Sequence, residues 1–142
     1  MSNRSLASLA VVAFSLAGAF CGGSASASGD SAEIVKAFFD DLNAHQIDKA
    51  MRYVAPDAVF DEPIGTFTGR AAIRGLLRRE VFRDRIVVHH SNFRVHGDRV
   101  VYDYRLTQYP FGIVAAGTDG LDIVKDGKIV WDGTVGTAPK SL

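Results

Sequence analysis

The chain has 142 residues, 47% hydrophobic and 23% charged, a balance that fits one globular domain and excludes a disordered chain. Lysine plus arginine (16) equals aspartate plus glutamate (16), which removes the electrostatic case for nucleic acid or an anionic membrane as a partner. One cysteine, Cys21, excludes an intramolecular disulfide and a cysteine-rich zinc site.

The first 27 residues differ in kind from the rest. Arg4 gives a small positive start, residues 6–20 (LASLAVVAFSLAGAF) form an apolar run, and Ala25-Ser26-Ala27 is an A-x-A site. We expect a secretory signal peptide over residues 1–27, cleaved after Ala27, and an exported domain over residues 28–142, periplasmic or secreted. The apolar run is shorter than the ~20 residues of a spanning helix, so no stable membrane anchor is expected after cleavage. Acylation of Cys21 fits poorly, because Gly18 and Phe20 stand where a large aliphatic and a small residue belong.

Asp30 or Ser31 can cap a helix in which Ile34, Val35, Phe38, Phe39 and Leu42 recur at three-and-four spacing. A second short helix is expected over residues 47–54. Pro56 separates it from a short strand, 57–61, which ends in the adjacent carboxylates Asp61 and Glu62. Pro63-Ile64-Gly65 turns the chain, and Thr68-Gly69-Arg70 opens a third helix running to about Phe82. From Arg85 the pattern changes to period two. Strands are expected over 86–96, 100–109, 113–125 and 129–135, with turns at Gly97-Asp98, Pro110-Phe111-Gly112 and Asp126-Gly127. Gly117 and Gly120 weaken the third of these strands, and the tail after Gly136 is expected to be loose. The order describes an α+β domain, with a cone-shaped, curved antiparallel sheet packed against three N-terminal helices. Such a cone leaves a cavity between sheet and helices, a natural site for a small apolar molecule.

Two helices, then A-P-D-A-V-F-D-E-P, a short loop, T-G-R-A-A-I, and a meander with V-K-D-G-K-I in its last hairpin, resemble the nuclear transport factor 2-like superfamily. Within it the chain is most similar to the SnoaL-like polyketide cyclase and ketosteroid isomerase branch, over residues 31–135. The resemblance implies the cystatin-like roll, a homodimer and no cofactor. It does not choose a reaction, since this fold carries isomerases, cyclases, dehydratases and binding domains.

Glu62 is the first catalytic candidate. It matches the strand-end general base of ketosteroid isomerases and shares a strand face with Ala58 and Phe60. Apolar surroundings make a carboxylate a stronger base. The alternative is a solvated Glu62, or one paired with Arg70 or Arg74. The isomerases also use a helix tyrosine and a protonated aspartic acid. The tyrosine position matches Phe38, which has no donor, so a true steroid isomerase is not expected. Asp122 is the strand aspartate that can act as an acid; its alternative is a partner to Lys125 or Lys128. His89 shares the more apolar strand face with Val87, Phe93 and Val95 and is placed in the pocket, together with Phe38, Phe60, Tyr102, Tyr104 and Trp131. Neighbouring histidines on a strand point to opposite faces, so His89 and His90 do not chelate one metal, and no metal site is expected.

The expectation is therefore an exported domain with an apolar pocket and a carboxylate base, performing cofactor-independent isomerase- or cyclase-type chemistry. The alternative is a non-catalytic ligand-binding or protein-interaction module of the same fold. A Glu62 that converges with a second donor in one pocket separates the two.

Overall fold

A computed structural model describes residues 27–142. Cys21 and the expected signal peptide up to its last residue, Ala27, lie outside the described residues. The elements are α1 (Ala27–Asn43), α2 (Ile47–Ala50) continued by a 3-10 turn (Met51–Tyr53), β1 (Val54–Glu62), β2 (Gly65–Thr68), α3 (Arg70–Arg78) continued by a π-helical turn (Arg79–Arg83), β3 (Ile86–His96), β4 (Arg99–Gln108), β5 (Gly112–Lys125) and β6 (Lys128–Thr134). They form an α+β fold with one six-stranded sheet in the order β2-β1-β6-β5-β4-β3. Two differences from the expected pattern stand out. The loop after Pro63 contains β2, paired with β1. The sheet is antiparallel except where β1 and β6 run parallel, so β6 lies inside the sheet with Phe60 opposite Asp132.

The helices cover the concave face. Val35, Phe38, Phe39 and Leu42 on α1 and Ile73, Leu76 and Leu77 on α3 are buried against Ala58, Phe60, Val100, Tyr102, Val124 and Ile129. Their three-and-four spacing turns one stripe of each helix to the sheet. Gly69, at φ +82°, donates its N–H to the Ala58 carbonyl at 2.8 Å and so fixes the start of α3 against β1. Asp30 sits in the first turn of α1, which begins earlier than a cap at Asp30 or Ser31 would place it.

Bulges decide which side chains face inward, because one extra residue reverses strand parity. In β3 the pairing shifts between Ser91 and Arg94, with Asn92 at φ +51°. Asp103 clamps this bulge, accepting from Asn92 Nδ2 at 2.6 Å and Arg94 at 3.0 Å. Phe93 and Val95 therefore face the core together with Val88 and His90, not with His89. In β6 the pairing shifts so that Ile123 opposes Trp131 while Val124 opposes Ile129. Ile129 then joins the concave core, and Trp131 packs on the convex face with Leu121 and Ile123. The tail is not loose at this point: Ala138 covers that cluster, and Arg99 donates to the Pro139 carbonyl.

The glycines that weaken β5 have a purpose. Tyr102 opposes Gly120 and Tyr104 opposes Gly117. A Cβ on Gly120 would stand 2.4 Å from a Tyr102 ring carbon, and one on Gly117 would stand 2.7 Å from the Tyr104 ring. The rings fold sideways over bare backbone, a known way of stabilising strand glycines. Gly75, within α3, has no atom within 4 Å of an added Cβ. We expect Gly120→Ala to lose ~1–3 kcal/mol by overpacking and Gly75→Ala to gain up to ~1 kcal/mol by helix propensity. Urea unfolding of both variants checks this. A stabilised Gly120→Ala would show that the tyrosine ring does not need the gap.

Candidate functional site

The concave face and the helices enclose a cavity of about 140 Å³. Its walls are mainly apolar, with Phe38, Phe39, Leu42, Phe60, Leu77 and Val88 among them. Its polar lining residues are Asp61, Glu62, Glu80, His90, Tyr102, Tyr104, Asp132 and Thr134. Among the described residues no lysine or arginine lines it.

Glu62 ends β1 where Pro63 stops the strand. Asp61, one residue earlier, accepts a 2.8 Å hydrogen bond from Thr66 Oγ1 and holds the β1–β2 turn. Strand alternation then sends Glu62 inward after Phe60. The arginines that offered Glu62 a partner are engaged elsewhere: Arg70 donates to the Met51 carbonyl, and Arg74 pairs with Asp48.

Glu80 comes from the π-helical turn after α3. Such turns rotate a side chain out of the α-helical register, often at functional sites. Burial, and then the nearby Glu62, raise its carboxyl to about 7, against the opposing effect of Arg79. At neutral pH it can therefore both hold and accept a proton.

Asp132 stands opposite Phe60, on the strand next to Glu62. Tyr102 reaches it from two strands away, across the gap at Gly120, with its hydroxyl 3.4 Å from Oδ1. Burial and its carboxyl neighbours Asp122 and Glu62 raise Asp132 well above the ordinary carboxylate range. Burial first, then Asp122 and Asp132, raise the Tyr102 phenol well above its usual value, so it remains a donor. His90 lies against Phe39, ring centroids 3.8 Å apart, and against Tyr102. Burial, with a smaller effect of His89, lowers it to about 4, so it is neutral.

The expected site residues thus separate into groups. Glu62, Phe38, Phe60, Tyr102 and Tyr104 all line the cavity. His89 does not: it is exposed, with Nε2 3.3 Å from Thr107 Oγ1, and the β3 bulge puts His90 in its place. Trp131 does not, because the β6 bulge turns it to the convex face. Asp122 is fully buried behind the cavity and does not line it. Its proposed lysine partners are also engaged elsewhere, Lys125 with the Leu142 carbonyl and Lys128 with the Arg52 carbonyl.

Glu80, Asp132 and His90 escaped the sequence reading. Glu80 left a signal: it lies three residues after Leu77 and seven after Ile73, on the buried face of the helix. Asp132 and His90 left none, since bulges set their direction. Among the described residues no group of three or more carboxyl, imidazole or thiol side chains is placed to hold a metal ion.

The SnoaL-like domain family model matches residues 35–131. The chain belongs to the SnoaL-like domain family. No curated protein matches this SnoaL-like domain. Among solved structures, it is similar to a provisionally assigned polyketide cyclase from Sinorhizobium meliloti, at 22% identity and TM-score 0.63, covering 70% of this chain and 91% of that one. A provisionally assigned ketosteroid isomerase from Kribbella flavida matches at 15% identity and TM-score 0.57, covering 79% and 84%. A Mycobacterium tuberculosis protein solved with estradiol-17β-hemisuccinate matches at 15% identity and TM-score 0.65, covering 75% and 92%. At these identities the likeness establishes the nuclear transport factor 2-like fold and leaves the substrate open.

The buried carboxyls make stability depend on pH. Glu80, Asp122 and Asp132 titrate higher in the folded domain than at their ordinary 4.5, 3.8 and 3.8. Their contribution is complete below about pH 4 and is lost as pH rises through the folded values, near 7 for Glu80. His90 acts the other way: its contribution is complete above 6.5 and is lost as pH falls toward about 4. Three groups outweigh one, so the melting temperature should fall from pH 5 to pH 8, with a shallower slope in Glu80→Gln. A melting temperature that rises over this range would contradict the raised carboxyls.

Proposed function

We propose that this SnoaL-like domain is a cofactor-independent enzyme of the isomerase or cyclase type, acting on a compact apolar carbonyl compound. The observation that carries the reading is the convergence of Glu62, Glu80, Asp132 and Tyr102 in one apolar cavity. The cavity is smaller than the ~300–1,000 Å³ usual for drug-sized ligands, which favours a ligand of one or two rings. The names of the neighbouring structures, a polyketide cyclase and a ketosteroid isomerase, support the same chemistry at a carbon next to a carbonyl.

In this reading Glu62 takes the proton on that carbon. The C–H bond breaks, an O–H bond forms on Glu62, and the electron pair moves to the carbonyl oxygen. That oxygen gains negative charge and needs donors in a site that excludes water. Phe38 offers none, so the sheet supplies them instead of the helix. The Tyr102–Asp132 bond at 3.4 Å is long and readily exchanged for one to a ligand oxygen. Protonated Asp132 is the second donor. Glu80, poised near neutrality, returns a proton to the product and recovers one from protonated Glu62, directly or through water, so both carboxyls end as they began.

The test needs no known product. Compact cyclic ketones and 1,3-dicarbonyl compounds are incubated with the protein in D₂O, and exchange next to the carbonyl is followed by NMR. We expect protein-dependent exchange for part of the panel and a loss of ~100-fold or more in Glu62→Gln. Exchange no faster than with heat-denatured protein would leave a binding module. Exchange that survives Glu62→Gln would remove Glu62 as the base.

A further inference from the structure

The cavity is short of positive charge. Glu62, Glu80 and Asp132 line it, and among the described residues no lysine or arginine does. None of the ion pairs among the described residues involves these three carboxyls. Arg79 acts on Glu80 without lining the cavity, and its Nε lies 4.0 Å from the Asp84 carboxylate. The imidazole in the wall, His90, is neutral, and its buried Nε2 has no hydrogen-bond partner. Asp132 is 6% exposed, and the bond it accepts from the Tyr102 hydroxyl is long, at 3.4 Å. Burial first, then charges that in each case include Glu62, raise Glu80, Tyr102, Tyr104 and Asp132. The charge of Glu62 is thus felt across the cavity. Protons neutralise Glu80 and Asp132, but no cation in the wall offsets Glu62.

Much of the remaining wall is aromatic. Phe38, Phe39, Phe60, Tyr102 and Tyr104 surround the carboxyls, and Phe38 meets Phe39 and Phe60 edge to face. Aromatic faces carry negative potential and attract a cation, most strongly where water is excluded. A neutral apolar ligand gains nothing from the carboxyls. A positive centre gains from both the rings and the unpaired charge.

We propose that the ligand of this cavity is a cation: a compact ketone with an apolar frame that carries one ammonium group, held among the aromatic rings and by Glu62. The ketone part rests on the carbonyl reading above, whereas the positive charge does not. The charge also suits that chemistry. When Glu62 takes the carbon-bound proton, its negative charge passes to the ligand oxygen. With a neutral ketone, one negative charge stands uncompensated in the cavity before and after this step. An ammonium group on the ligand compensates it in both states. It also withdraws electrons from the neighbouring carbon and makes its C–H bond more acidic.

Two ketones of one shape isolate the charge: acetonyltrimethylammonium and methyl neopentyl ketone, which differ by a quaternary nitrogen in place of a quaternary carbon. Each is titrated into the full chain at neutral pH and fixed ionic strength, and binding is followed by NMR. We expect the charged ketone to bind roughly tenfold or more tightly than the neutral one. In Glu62→Gln the preference should shrink to a few-fold, with the neutral ketone little affected; Glu80→Gln should shrink it less. Circular dichroism of each variant confirms that it is folded. Equal binding of the two ketones, tighter binding of the neutral one, or binding of neither overturns the inference. A preference that survives unchanged in both variants would put the cation outside the cavity and overturn it as well. Hydrogen exchange of both ketones in D₂O, on the same samples, separates this inference from the reaction. Preference for the charged ketone with no exchange in either would support the inference and defeat the carbonyl reading alone. Protein-dependent exchange of the neutral ketone, with no preference for the charged one, would support the carbonyl reading and overturn the inference.

Discussion

A carboxyl group on the concave face of a sheet, covered by helices and with no cation among the groups that act on it, constrains everything around it. Asp132 is that group. Water cannot neutralise it, so protons and neutral donors must. Tyr102 reaches it from β4, which requires a bare Gly120 on the strand between. Asp122 faces it from β5. Glu62 arrives beside it because β1 runs parallel to β6 and sets Phe60 opposite Asp132. Each of these neighbours is polar, yet each is placed so that charge is shared or suppressed. A site of this kind is expensive to fold, and cavities that do chemistry are where such expense is usually found.

The fold makes that placement possible through irregularities rather than through regular strands. A bulge at Asn92 exchanges His89 for His90, and a bulge before Trp131 sends the indole to the convex face while Asp132 turns inward. The π-helical turn does the same for Glu80 at the end of α3. Three local departures from period two or 3.6 therefore bring His90, Asp132 and Glu80 into the cavity. Phe38 and Leu77 in its apolar wall come from helices whose spacing is undisturbed.

The arginines and lysines complete the picture by where they are not. Arg70, Arg74, Lys125 and Lys128 all lie close enough in sequence to offer ion pairs to Glu62 or Asp122. They are spent instead on backbone carbonyls and on Asp48. The bonds of Arg74, Lys125 and Lys128 lie in exposed positions, where a charge costs little. That leaves the cavity acidic, with Arg79 acting on Glu80 as a partial counterweight. Carboxyls in such surroundings hold their protons more tightly.

Much of this domain was legible before any coordinates. The three helices, the four long strands, the turns between them and the cover of helices over a curved sheet follow from spacing and turn residues, which are local properties. Glu62, Phe38, Phe60, Tyr102 and Tyr104 were legible as pocket residues because side-chain alternation holds locally along 58–62 and 100–104 and helical spacing holds along α1. The short β2, the parallel β1–β6 pairing and the packed tail were not, since they depend on partners distant in sequence. His89 and Trp131 were misplaced for one physical reason: a bulge inserts a residue and reverses the faces of everything beyond it, and nothing in a period-two pattern announces the insertion. The sequence by itself thus determined the architecture and the apolar wall. Only the tertiary structure decided which carboxyls meet, because that depends on strand register and on the low-dielectric surroundings that the sheet and the covering helices create together.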